Sequence, residues 1–226
     1  MEPEIQAEGV AALPQVPETS SLRMILTLGL AGMISGFALV GIYLFTAPII
    51  EANKAEALRQ AIFLVVPGSK SYQTLELQDS RLVALNPEEE KINKGGERIY
   101  AAFDASGKLL GFAIPGAEPG FQDLIQGIFG YRPDERVIVG FEVLDTKETP
   151  GLGDKIIKDQ HFRSSLTTLK VDPEIVAVKP GEKTAANQVE TITGATISSK
   201  TVIKMLEKTI RRWLPMIEDY LNPKTA

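Results

Sequence analysis

Hydroxyl side chains crowd one stretch of this chain. Glu190 to Ser199, ETITGATISS, sets Thr193, Thr196, Ser198 and Ser199 around Gly194-Ala195, directly before the longest amphipathic pattern in the sequence. From Val202 the apolar residues Val202, Ile203, Leu206, Ile210, Trp213, Leu214, Ile217 and Leu221 recur at intervals of three and four, which puts one apolar stripe on a helix. Lys200, Lys204, Lys208, Arg211 and Arg212 fall on the opposite face. The hydroxyls therefore stand at or just inside a helix N-terminus, where unpaired N–H groups and the positive end of the macrodipole stabilise an anion such as a phosphate. Ser and Thr in that place also act as ordinary N-caps, and helix chemistry alone favours that plainer reading.

A second stretch, Lys147-Glu148-Thr149-Pro150-Gly151-Leu152-Gly153-Asp154, is built for a tight turn. Pro followed by Gly suits the two central positions of a type II turn, and small residues let the backbone approach a flat ligand closely. Taken alone it reads as a surface turn, because it lacks the strand–GxGxxG–helix setting of a dinucleotide fingerprint.

Composition removes most other chemistry. Cysteine is absent, which excludes disulfides, thiolate metal sites, iron–sulfur ligation and a thiol nucleophile. His161 is the sole histidine, so a histidine metal site or a Ser-His-Asp arrangement would rest on one residue, read here as structural or solvated. Redox chemistry in such a chain needs an organic cofactor. With 24 Lys plus Arg against 29 Asp plus Glu, a formal charge of -5 and no basic block outside the last helix, no nucleic-acid partner is expected.

The string Thr193-Gly194-Ala195-Thr196-Ile197-Ser198 resembles the [S/T]-G-A-T-x-[S/T] flavinylation motif of the FMN-binding domain family, found in the G subunit of Rnf-type ion-translocating oxidoreductase complexes and the C subunit of sodium-pumping quinone reductases. The resemblance implies that Ser198 carries FMN through a phosphoester bond, with Thr193, Gly194, Ala195 and Thr196 forming the loop that presents it. The family more often has Thr at the position of Ser198 and Asp at that of Glu190. A serine hydroxyl can form the same ester, and Glu keeps the charge. From the residues alone, the choice among Ser198, Ser199 and Thr196 stays open. The segment Glu148 to Gly153 is similar to the loop that borders the flavin in the same family, so Thr149, Gly151, Leu152 and Gly153 are expected beside the isoalloxazine ring. The two motifs stand in the family's order, about 45 residues apart.

The resemblance further implies a membrane-anchored relay: a flavoprotein that passes electrons between other membrane subunits of an Rnf-type complex, with its FMN attached by a separate flavin transferase using FAD as donor. The flavin domain would lie outside the cytoplasm, at the inner membrane. The short chain and its K-E-T-P-G-L-G-D-K segment favour the G-subunit reading over the C-subunit one. Two other classes compete with the relay: a flavin-free anchored adaptor and a membrane-bound flavin sensor.

The elements that must position these motifs follow in chain order. Met1 to Ser21 has three prolines, four glutamates and no apolar period, and is expected to be disordered. Met24 to Ile50 runs 27 residues without a charge; as a helix it would extend about 40 Å, enough to cross a hydrocarbon core of about 30 Å with some tilt. Within it Gly32 and Gly36 form a G-x-x-x-G step against which a helix from a neighbouring membrane protein could pack. Arg23 precedes the span and Lys54 and Arg59 follow it, too small a difference to set orientation. The helix is expected to continue into, or join closely, Glu51 to Val66, ending at Pro67-Gly68. Ser69 to Gly96 shows little pattern. Arg98 to Ile114 reads as a β-hairpin around Asp104-Ala105-Ser106-Gly107, Pro115 to Arg132 as a loop rich in glycine, proline and aromatic residues, and Arg136 to Leu144 as a buried strand. Pro215 is expected to kink or break the last helix near Leu214. The fold class is α+β: one N-terminal transmembrane helix and a mixed α/β FMN-binding domain, divided as tail 1–21, span 22–50 and domain 51–226.

Overall fold

The computed structural model describes residues 20–86, 88–89 and 95–223, so the tail expected to be disordered lies, up to residue 19, outside the described residues. Helix α1, Ser21–Val65, is a single element of 45 residues that runs through Pro48. Among the described residues it is the one helix long and apolar enough to cross a membrane. It ends where Pro67 and Gly68 follow, Gly68 taking the positive φ of 90° that a side chain disfavours. Contacts divide the chain into two compact units, Met1–Ala52 and Asn53–Ala226.

Within the second unit the strands are β1 Ser71–Gln78, β2 Arg81–Ala84, β3 Arg98–Phe103, β4 Leu109–Pro119, β5 Leu124–Arg132 and β6 Val137–Asp145. Two short helices follow, α2 Lys155–Lys158 and α3 Gln160–Ser165, then β7 Leu169–Lys170, β8 Val176–Val178 and β9 Gln188–Glu190. The last element is helix α4, Thr196–Leu221. Strands β1 to β7 form one antiparallel sheet in the order β2-β1-β3-β4-β5-β6-β7, and β8 and β9 pair in parallel.

Side-chain alternation sends the two sides of this sheet into different cores. Ile99, Ala101, Phe112, Ile114, Ile125 and Phe129 pack with the apolar stripe of α4, including Val202, Leu206, Ile210 and Ile217. Tyr100, Ala102, Ala113 and Ile128 pack on the other side with Ala61, Ile62, Val65 and Val66 from the end of α1. The sheet is thus covered on both faces by helices, and α4 is held so that its first turn points at the loops following β4 and β6.

Three expectations change. Pro115 to Arg132 is the second half of β4 and all of β5, joined by a turn at Gly120–Asp123, where the Gly120 N–H donates to the Asp123 carbonyl. Its glycines look like loop punctuation but serve close packing: a Cβ on Gly130 would lie 1.9 Å from the Val65 carbonyl oxygen, and one on Gly127 2.7 Å from the Phe141 ring. Ser69 to Gly96 contains β1 and β2, hidden from period-two reading because Thr74, Leu75 and Glu76 are all buried in succession. Helix α4 is not broken at Pro215 but continues to Leu221. The ring removes one backbone bond, and burial of Trp213, Leu214 and Ile217 in the core offsets that loss. The hairpin at Asp104–Gly107 and the strand beginning near Arg136 form as expected, the Asp104 carboxylate accepting from the N–H groups of Ser106 and Lys108.

Candidate functional site

The first turn of α4 starts at Thr196, two residues after Gly194, whose φ of 80° swings the chain out of β9 and into the helix. No side chain caps this N-terminus. Its free N–H groups therefore stay available to an external acceptor. The four hydroxyls of the motif point to different places. Thr193 and Thr196 are exposed, and the Thr196 hydroxyl leans on the Ile192 carbonyl at 3.5 Å. Ser199 is fully buried; its Oγ donates to the Ala195 carbonyl at 2.8 Å and accepts from the Ile192 N–H at 3.2 Å. Ser198 alone turns toward the second motif, donating to Oε2 of Glu148 at 2.5 Å.

The second motif folds as its turn chemistry requires. Thr149, Pro150, Gly151 and Leu152 form a turn with Gly151 at φ 79° and the Leu152 N–H donating to the Thr149 carbonyl at 3.1 Å. Gln122 Nε2 reaches the Thr149 hydroxyl at 3.3 Å, and Lys147 pairs with Asp123 at 2.6 Å, which ties this loop to the β4–β5 turn.

Between these segments lies a pocket of about 330 Å³ lined by Phe121, Glu148, Thr149, Leu152, Gly153 and residues 194–198. Of the residues singled out from sequence it brings together Thr149, Leu152, Gly153, Gly194, Ala195, Thr196 and Ser198. Gly151 and Thr193 do not line it. Gly151 shapes the turn behind the wall, and Thr193 faces an adjacent hollow lined by Lys155, Lys158, His161 and Glu190, its carbonyl accepting from Lys155 Nζ at 3.2 Å. That hollow is larger, about 440 Å³, but its rim is charged and Ser198 does not line it. The His161 side chain is mostly exposed there and lies 3.3 Å from Glu190.

Phe121, Glu148 and Ile197 complete the wall, and residue type and spacing do not mark them as site residues. Phe121 sits in the turn hidden by its glycines. Glu148 belongs to the Lys147–Asp154 motif, but its partner lies 50 residues away and nothing local announces it. Burial of Glu148 alone would raise its pKa, yet the bonds it accepts from Ser198 and from the Gln122 and Phe121 N–H groups outweigh this and hold the carboxyl below its ordinary value.

The arrangement fits FMN. The apolar side chains of Phe121, Leu152 and Ile197 are more than half exposed at the pocket and offer faces for a flat ring. The Ser198 hydroxyl and the uncapped helix N-terminus offer partners for a phosphate. Lys155, against the loop at Gly194, adds positive charge beside it.

Residues 120–211 match the FMN-binding domain family. That span holds both loops and the pocket between them. By sequence the chain is 30% identical over 184 residues to the G subunit of the ion-translocating oxidoreductase complex of Aliivibrio fischeri, covering 78% of this chain and 83% of that one. It is 25% identical over 191 residues to the G subunit of the ion-translocating oxidoreductase complex of Methanosarcina acetivorans, covering 83% and 92% of the two chains. With the G subunit of the proton-translocating ferredoxin:NAD(+) oxidoreductase complex of Clostridium ljungdahlii it shares 27% over 153 residues, 67% and 80% of the two chains. Among solved structures it shares the fold of Shewanella oneidensis NqrC, with a TM-score of 0.56 and 22% identity over 74% of this chain and 99% of that one. The C subunit of the Na(+)-translocating NADH-quinone reductase from Parabacteroides distasonis gives a TM-score of 0.58 at 20% identity, over 74% and 94%. The site and the matched domain define an FMN-binding protein. The chain belongs to the family of G subunits of ion-translocating oxidoreductase complexes.

Proposed function

We propose that this chain is the flavin-carrying electron-transport subunit of an ion-translocating oxidoreductase complex of the Rnf type, anchored in the membrane by α1 and carrying FMN through a phosphoester bond to Ser198. The observation that carries the reading is the position of the Ser198 hydroxyl: inside the pocket, in the first turn of an uncapped helix, facing the loop that bears the second motif. Bound there, FMN supplies one- and two-electron chemistry that no side chain of this chain can supply. The protein's part is to hold it. The α4 N-terminus stabilises the phosphate, Phe121, Leu152 and Ile197 cover the ring, and Thr149 and Gly153 shape the opposite wall.

A flavin transferase with FAD as donor makes the bond, and the other subunits of the complex exchange electrons with the loaded domain on the extracytoplasmic side of the inner membrane. The G-subunit reading rests on relatives that span most of this chain's length, whereas the C-subunit likeness is one of fold. Mass spectrometry of the chain purified from cells that express a flavin transferase tests the assignment. An added FMN mass on the peptide containing Ser198 is expected, and Ser198→Ala removes it while the fold persists, since losing one hydrogen bond to the Glu148 carboxylate costs about 1.5–3 kcal/mol. An unmodified peptide, beside a control protein that carries its FMN, would leave these hydroxyls a structural role and return the chain to an adaptor role. Labelling of single cysteines placed on the domain, in sealed cells, checks the side of the membrane.

A further inference from the structure

Ser198 is buried, with 3% of its surface exposed, and so is its partner Glu148, with 6%. The carboxylate is held from both sides. Its Oε1 accepts from the backbone N–H groups of Phe121 at 2.8 Å and Gln122 at 3.0 Å, which leaves Oε2 aimed at the Ser198 hydroxyl. Glycines flank it: a Cβ on Gly120 would lie 2.5 Å from Oε1, and one on Gly153 2.4 Å from Oε2 and 2.8 Å from Ser198 Oγ. No residue with a side chain fits at either place without moving the pair. Among the residues lining the pocket, Glu148 is the one ionisable side chain. The neighbouring hydroxyls have no such partner. Those of Ser199 and Thr196 lean on backbone carbonyls, which do not take up a proton at neutral pH.

A serine hydroxyl is a weak nucleophile until a base removes its proton. We propose that Glu148 is the proton acceptor for the modification of Ser198, so that the acceptor protein brings its own base to the transfer. In the step, Ser198 Oγ attacks the flavin-side phosphorus of a flavin adenine dinucleotide. The Oγ–P bond forms as the P–O bond of the diphosphate bridge breaks, and adenosine monophosphate leaves with that electron pair. The hydroxyl proton passes to Oε2 of Glu148 and from there to solvent. Nothing is oxidised or reduced. The same geometry explains why one hydroxyl of three is chosen, since Ser198 alone has an acceptor that can keep its proton. The inference rests on Ser198 being the attachment residue.

The test uses the full-length chain in detergent, produced without a transferase, then incubated with a purified flavin transferase, FAD and Mg²⁺ while covalent FMN is followed by intact mass. Glu148→Gln keeps an oxygen for the Phe121 and Gln122 N–H groups but turns an amide N–H toward Ser198, where it cannot accept a proton. The expected result is a fall of about 100-fold in kcat, with the KM for the acceptor protein within about threefold of wild type, the circular dichroism melt unchanged and partial recovery in Glu148→Asp. A merely structural role would move KM and the melt instead. Wild-type protein that loads normally, together with a Glu148→Gln protein that loads at its rate, overturns this inference and leaves the attachment site standing. Wild-type protein that never gains FMN overturns both. Should Glu148→Gln fail to fold, Gly153→Ala reads the same point, because its methyl separates the pair with the base still present: a drop in kcat of about tenfold or more is expected, and wild-type kcat would overturn the inference.

Discussion

Three hydroxyls stand within four residues at the start of α4, and their surroundings give them different tasks. Ser198 meets the Glu148 carboxylate, Thr196 is exposed, and Ser199 is turned inward to bind the loop it follows. Because Ser199 accepts from the Ile192 N–H, Ser199→Ala leaves a buried donor without a partner and is expected to cost about 1–3 kcal/mol in urea unfolding. Covalent flavin on the peptide should survive in that variant, at a mass identical to wild type less one oxygen. Loss of flavin with normal stability would instead move the attachment point. The positions of these hydroxyls at a helix start were legible from the spacing of the apolar residues behind them. Their directions were not, since each depends on a carbonyl or carboxylate supplied by another turn or loop. Glu148 is the extreme case, meeting Ser198 only because β6 and α4 bring their ends together.

Helix α4 is fixed over the sheet by its apolar stripe and by one buried carboxylate. Glu118, at the end of β4 and 4% exposed, accepts from Lys204 and Lys208, two residues one turn apart on α4. These bonds hold the Glu118 carboxyl below its ordinary value of 4.5. A carboxyl whose folded pKa is depressed adds stability that is whole above its unfolded pKa and lost as the pH falls through the folded one. Both lysines are largely exposed, so the gain is modest, about 1 kcal/mol. Glu118→Gln in the domain is therefore expected to unfold at lower urea than wild type at pH 7, and the gap should narrow as the pH is taken below 4.5. A gap that does not narrow on acidification would assign the loss to packing. Strong helical period and the Pro-Gly turn made α4, the end of α1 and the Thr149–Leu152 turn readable in advance. Strand β5 escaped because the sheet needs glycine at Gly127 and Gly130, where Phe141 and the Val65 carbonyl come too close for a Cβ, and those glycines imitate a loop. Strand β1 escaped because Thr74 and Glu76 are buried polar residues, and alternation reads burial only through apolar ones.

At the scale of the whole chain, membrane anchoring and flavin binding fall on different segments, and the boundary between them does not coincide with the end of a helix. The second compact unit begins at Asn53, inside α1, and keeps the last turns of that helix. Those turns supply Ala61, Ile62 and Val65, which with Val66 bury one face of the sheet against Tyr100, Ala102, Ala113 and Ile128. A cut before Asn53 removes the apolar span and leaves both faces of the sheet covered, so the fragment 53–226 is expected in the soluble fraction, folded and able to gain FMN on Ser198. A cut after Val66 removes only 14 residues more, yet it strips the second core. Burying each large apolar side chain stabilises by about 1.5–3 kcal/mol, and the loss of Ile62, Val65 and Val66 together is comparable with the 5–15 kcal/mol that keeps a domain of this size folded. The shorter fragment should therefore aggregate or melt below 37 °C, although it contains every residue that lines the pocket around Ser198. Fractionation, circular dichroism and intact mass on the two fragments distinguish the cases. Equal solubility and equal flavin loading would mean that the end of α1 belongs to the anchor and not to the domain.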